Sequence, residues 1–290
     1  MHETRGQKHV DKRKYFTEAL PATIRAERFM KDHSRFNIDL TKSFLHLNKA
    51  PIVEAVIEIR ARAQSLWEEV AITSQLKSRL PDYPNVLSLK AVRQEFTFGP
   101  AVAAEAKTHE LGWDGLRFQS ADSKYVCQFN RDNFVLSRLQ PYETWEDLYN
   151  EAMRLWQIHV EIARPTDIQR MGVRFINRIS MPPDADRFED YIEPHPETPR
   201  ELPLPFLNFL HRDTLIVPGH DYGLNLTRTL QIPQDRTSEG IGIILDIDVF
   251  TTQPFAIEAS GIERKLTEMR WLKNKAFFGT ITSEALEGFK

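Results

Sequence analysis

Three arginines spaced four apart, Arg170, Arg174 and Arg178, lie in the run DIQRMGVRFINRISM, residues 167–181. Side chains alternate faces along a strand, so residues an even number apart share one. A strand here projects the three guanidinium groups together, interrupted by Ile176, and turns Met171, Val173, Phe175 and Ile179 to an apolar back. Guanidinium forks match phosphate and carboxylate groups. Residues 51–62, PIVEAVIEIRAR, alternate in the same way. Glu54, Glu58, Arg60 and Arg62 share a face with Ile52 and Val56, while Val53, Ala55, Ile57, Ile59 and Ala61 take the other. Asp246 and Asp248 form an Asp-x-Asp pair able to share a divalent cation. Arg170, Arg174, Arg178, Glu54, Glu58, Arg60, Asp246 and Asp248 therefore compose a candidate site for a phosphorylated or carboxylate-bearing ligand. The same residues also compose a ladder of cross-strand ion pairs, with Glu54 and Glu58 opposite arginines. The near balance of charge favours the ladder.

Acids and bases alternating on strand faces are similar to the arrangement in triphosphate-tunnel hydrolases, which hold a metal and a polyphosphate and carry Glu-x-Glu-x-Lys on their first strand. The nearest run here is Glu54, Val56, Glu58, Arg60, with a valine at the middle position and an arginine at the end. Other chemistry-bearing groups point less clearly to a site. His211, Asp213, His220 and Asp221 fall in an expected loop region without metal-ligand spacing. His159 lies on a helical apolar stripe and reads as a packed histidine. Cys127, the single cysteine, sits within a strand pattern and reads as an inert buried thiol. There is no Gly-rich phosphate loop, nucleophile elbow or ordered Ser/His/Asp set. No cofactor is expected.

The elements that must position these residues follow from periodicity. After the strand at 51–62, residues 65–80 read as a helix with Leu66, Val70 and Leu76 or Leu80 inward, ended by Pro81 and Pro84. Strands are expected at 91–98, 115–119, 124–130 and 134–139, with Asn130, Arg131, Asp132 and Asn133 as a hairpin turn. Thr144 is a good N-cap for a long helix whose stripe is Trp145, Leu148, Ala152, Leu155, Trp156 and His159. Past the arginine strand come a short helix near 187–192, a Pro-rich passage at 194–205 and a short helix ending near Leu210. Strands follow at 222–232 and 241–250, joined by a hairpin loop at 234–240. A last long helix spans about 260–276, with Ser260 and Glu263 at capping-box spacing.

The two halves match in order: a long first strand, a helix, antiparallel strands, and a long final helix. This implies an α+β fold made by tandem duplication, with halves at 43–165 and 166–290 behind an extension at 1–42. One curved antiparallel sheet with two long helices on one face, saddle or helix-grip-like, is expected. A partly closed barrel is the alternative. Within the extension, residues 15–33 offer an amphipathic helix interrupted by Pro21, and Met30 is a second candidate initiator.

Residues 1–42 hold 10 Lys/Arg against 6 Asp/Glu, leaving 28 against 35 in the remainder. An acidic body disfavours duplex nucleic acid as a partner. With no apolar run of membrane length and no signal-type apolar core, the chain reads as cytoplasmic.

Five runs together, APIVEAVIEIR (50–60), LQPYETWEDL (139–148), GVRFINRI (172–179), LDIDVF (245–250) and KNKAFFGTIT (273–282), resemble a sporadically distributed bacterial family of uncharacterised proteins. The resemblance implies no activity, cofactor or catalytic residue. The family's patchy distribution is similar to that of toxin–antitoxin and phage-defence genes. The first functional reading is thus a non-enzymatic binding or interaction protein with a protein partner. The second is a metal-dependent hydrolase or binder of a phosphorylated small molecule. A DNA-binding saddle, which needs a basic concave face, is third.

Overall fold

Alternating apolar positions dictate several of the strands, and nine strands among the described residues pair into one sheet. The computed structural model describes residues 34–99, 102–182, 185, 187–232 and 240–290. The expected leader helix at 15–33 and the expected hairpin loop at 234–239 lie outside them. In chain order the elements of the first half are β1 (Ile52–Arg60), α1 (Glu69–Arg79), β2 (Asn85–Gly99), β3 (Val102–Gln119), β4 (Tyr125–Asn130), β5 (Asn133–Leu139) and α2 (Trp145–Ala163). The second half has β6 (Asp167–Ile168), β7 (Arg170–Ser180), a 3-10 turn at Phe188–Asp190, β8 (Leu210–Ile216), β9 (Tyr222–Gln231), β10 (Gly242–Thr251), β11 (Phe255–Ala256), α3 (Ala259–Thr280) and α4 (Ser283–Glu287).

The large sheet is antiparallel, in the order β2-β3-β4-β5-β1-β7-β10-β9-β8, and β6 pairs separately with β11. β2 and β8 are free edges, so the sheet is open and the barrel alternative is not realised. The order is mirrored about the central β1–β7 pair. Outward from the centre, each half places its first strand, then its last, then the one before. The first half adds β2 at its edge.

Both long helices cover one face. α2 packs on β5, and α3 packs on β7 and β10. Ala55, Ile57 and Ile59 of β1 are fully buried there, beside Val173 and Phe175 of β7 and Ile243, Leu245 and Ile247 of β10. Burying these side chains removes apolar surface from water at about 25 cal/mol per Å², which makes this layer the main source of stability. No described helix is long and apolar enough to cross a membrane.

Several local expectations need correction. The arginine strand is not one piece: it breaks at Gln169, where β6 turns away to pair with β11. α1 starts at Glu69, and Leu66 and Val70 are exposed at 76% and 84%, while Ile72, Leu76 and Leu80 are buried. The segment before α1 is held extended, because Gln64 and Ser65 donate their amides to the carbonyl of Ala163. The expected short helix ending near Leu210 does not form. Instead β8 runs along the sheet edge, with all seven residues exposed, so burial gives it no alternating pattern to read. The Ser260–Glu263 capping box does not form. α3 begins one residue earlier, at Ala259, which puts Ser260 inside the first turn, and its N-cap Glu258 makes no side-chain cap. At α2 the expected cap is present: Thr144 accepts from the amide of Asp147 at 3.1 Å.

Candidate functional site

The strand register assembles the charged residues on the face away from the helices. β1 and β7 pair with Glu58 opposite Gly172 and Val56 opposite Arg174, and β10 adds Asp248 opposite Arg174 and Asp246 opposite Ile176. Arg170 forms ion pairs with Glu58 and, at 2.9 Å, with Asp248. It reaches both by lying across Gly172, where an added Cβ would come within 2.9 Å of its Nη1. Arg174 grips Asp246 with two hydrogen bonds, at 2.8 and 2.6 Å. That bond, ahead of the cost of burial, holds the Arg174 guanidinium more firmly protonated than usual. Arg60 donates to Glu58 at 2.9 Å. Arg178 bonds neutral acceptors: Gln231 at 2.8 Å, Ser180 at 2.7 Å and the Gly240 carbonyl at 2.6 Å. Glu54 acts on Arg174 through its charge and makes no ion-pair contact among the described residues.

All eight sequence-selected residues therefore share one face, and most of their charge is consumed by mutual pairing. Asp246 and Asp248 turn to different arginines. Among the described residues, no three His, Cys, Asp or Glu side chains come together in a set that could hold a metal ion. Asp213 pairs with buried Arg228 at 2.5 Å, and His220 meets the Phe36 carbonyl at 2.8 Å, so these two have separate structural roles. Arg228 and Asn177 were hidden among the apolar positions of β9 and β7. Both are buried, and Asn177 donates to the Leu245 carbonyl at 2.9 Å.

The opposite face holds what the strand patterns did not show. A cavity of about 470 Å³ opens between the start of α2, the side of α3 and residues 40–47. Its walls include Tyr142, Trp145, Phe175, Arg270, Trp271 and Lys273. Phe44 stacks on Phe278 at 5.6 Å and meets Trp271 edge-on at 5.9 Å, which pins the covering segment to α3. The Lys273 ammonium lies 3.9 Å from the centroid of the Phe175 ring. Among the described residues it makes no hydrogen bond or ion pair. Surrounding protein, with a smaller contribution from Arg270, pushes its pKa down to about 7, and Lys273 as a residue is half-buried and lines the cavity.

The cavity's carboxylates are spoken for. Glu146 pairs with Arg270 at 3.0 Å, and Glu143 pairs with Arg138 at 3.1 Å and Lys124 at 3.4 Å. Tyr142 packs edge-on against Phe175 at 5.5 Å, and burial pushes its hydroxyl well above the usual phenol range, so it keeps its proton. The arrangement is an aromatic hollow with an amine at its base and no carboxylate bonded to that amine. One signal for it lay in the sequence. The buried stripe of α3 runs through Leu266, Met269 and Phe277, and Lys273 takes the turn between the last two.

The chain matches no protein-family model and no curated protein.

A second buried base provides a contrast. His159 of α2 is fully buried among the rings of Trp67, Phe129, Phe134 and Trp156, with centroids 5.4–6.1 Å away. Neither ring nitrogen has a partner of full hydrogen-bond geometry, and a looser approach to the Ala61 backbone, outweighed by burial, favours the charged ring. Burial pushes its pKa down to about 4. Cys127 is buried as well, and its thiol is pushed far above the usual range.

Proposed function

We propose that this chain is a binding protein that takes a small organic anion with an apolar body into the cavity beside α3. The observation that carries this reading is Lys273, which has no hydrogen-bond or ion-pair partner among the described residues while Glu143 and Glu146 in the same wall are both paired. A buried cation costs free energy unless a counter-charge meets it. A ligand carboxylate or sulfonate supplies that counter-charge, and the surrounding aromatic rings receive its apolar part. The volume is in the range of small-molecule sites. The alternative, a phosphorylated ligand on the charged strand face, has less support, because Arg170 and Arg174 are already held by Glu58, Asp248 and Asp246.

Calorimetric titration with naphthalene-2-carboxylate and with the neutral 2-naphthalenemethanol tests the reading. The acid is expected to bind at least about tenfold more tightly than the alcohol, a difference of about 1.4 kcal/mol. Lys273→Met should remove that preference. Equal affinities for the two probes, or an unchanged preference in the variant, would exclude the cavity as an anion site.

A further inference from the structure

We propose that Lys273 captures carbonyl compounds, forming a reversible imine with an aldehyde or ketone that carries a carboxylate. This rests on the cavity being the ligand site and assigns a chemical class to its occupant. Three observations support it. The Lys273 nitrogen lies over the Phe175 ring without a described hydrogen-bond partner, so nothing sequesters its lone pair once the proton leaves. Its surroundings release that proton near neutrality, which makes a lysine nucleophilic where exposed lysines stay charged. Arg270 lies one helical turn earlier on the same wall and contributes to that release, and its pairing with Glu146 engages Nη1. A second cation beside a desolvated lysine is a known way to activate such an amine. For a carbonyl compound the Lys273 nitrogen goes to the imine, and the carboxylate that an unreactive anion would set against the ammonium is taken by the remaining N–H groups of the Arg270 fork.

The step balances without an oxidant or reductant. The neutral amine attacks the carbonyl carbon, a C–N bond forms, and the carbonyl π pair moves to oxygen. Proton transfer from nitrogen to oxygen gives a carbinolamine. A second proton lets the oxygen leave as water, while the nitrogen lone pair closes the C=N bond and the remaining N–H proton is released. The second proton comes from solvent, and Tyr142, whose phenol stays protonated, is a hydrogen-bond donor in the cavity wall. Hydrolysis runs the same steps backwards.

The titratable groups lining the cavity set the pH dependence. Arg270 is on the same helix as Lys273. Tyr142, Glu143 and Glu146 come from the segment leading into α2 and its first turn, and Lys42 and His46 from the covering segment. β1 and β7 contribute only Ile52, Phe175 and Asn177 to the wall. Adduct formation should therefore rise with pH to a plateau, with a midpoint near the Lys273 value of about 7.

The test treats the full chain with 4-carboxybenzaldehyde and sodium cyanoborohydride and maps reduced adducts by peptide mass spectrometry. In parallel, binding of the non-electrophilic 4-(hydroxymethyl)benzoate is measured by calorimetry. The expected result is an adduct on Lys273 forming about tenfold or more faster than on any other lysine, and its absence in Lys273→Arg. Binding of the alcohol without preferential labelling of Lys273 overturns the imine and leaves the anion site standing. Absence of both binding and labelling overturns both. The wild-type adduct map does not depend on the variant folding.

Discussion

α2 packs on β5 and α3 on β7 and β10, on one face of the sheet, and each carries a titratable base whose charge burial disfavours. His159 is fully buried and Lys273 partly so, and desolvation lowers the basicity of both. Their surroundings then separate them. Four aromatic rings close around His159, leaving it no room to meet another molecule. Lys273 has an aromatic ring on one side and a cavity on the other. Desolvation alone therefore does not distinguish the two; accessible space beside the group does.

Substitution at either residue separates the two regions, and the largest effect is expected at His159. Replacing it with Ala leaves a void inside four rings and should cost about 3 kcal/mol in urea denaturation at pH 7, with naphthalene-2-carboxylate binding preserved in the fraction that folds. Loss of binding in the folded variant would mean the two regions are coupled.

The acid limb tests the same residue. The folded pKa of about 4 lies below the ordinary 6.5, so the unfolded chain binds the proton first. Stability should be complete above pH 6.5 and fall as pH drops towards 4, by about 3 kcal/mol from this group. His159→Leu should lack that component, and an identical acid profile in the variant would remove the claim.

For Lys273 the same rule places the window higher. Its folded pKa of about 7 lies below 10.5, so the cost of burying the charge is full below pH 7 and fades as pH rises to 10.5. Lys273→Met should raise stability at pH 7 by about 2 kcal/mol, allowing for solvent in the open cavity. The gain should shrink steadily towards pH 10. Destabilisation at every pH would show that the ammonium is already satisfied.

The smallest effect belongs to the charged face. Arg174 is half exposed, and its pair with Asp246 is partly screened. Arg174→Met should cost at most about 1 kcal/mol and leave carboxylate binding unchanged. Loss of binding in that variant would move the site to the strand face.

Local periodicity made much of the fold legible. The alternation in β1, β7, β9 and β10 marked their inward and outward faces. The Thr144 cap announced α2, and the order of elements pointed to paired halves around a central strand pair. β8 was missed because an edge strand exposed on every residue leaves no apolar rhythm. Arg228 and Asn177 were missed because a polar residue in a strand's inward register is visible only as an interruption of the pattern.

By itself, the sequence determined the α+β class, the open acidic and basic strand face, and the packed character of His159 and Cys127. Tertiary structure alone decided which charges neutralise which, and where space remains. Arg170 meets Glu58 and Asp248 across separations of 112 and 78 residues, and a one-residue shift in register would turn those side chains to opposite faces. Lys273 became a candidate site because two helices and residues 40–47 leave a cavity beside it. Periodicity reports the face on which a residue lies, whereas pairing and empty volume depend on contacts between distant parts of the chain.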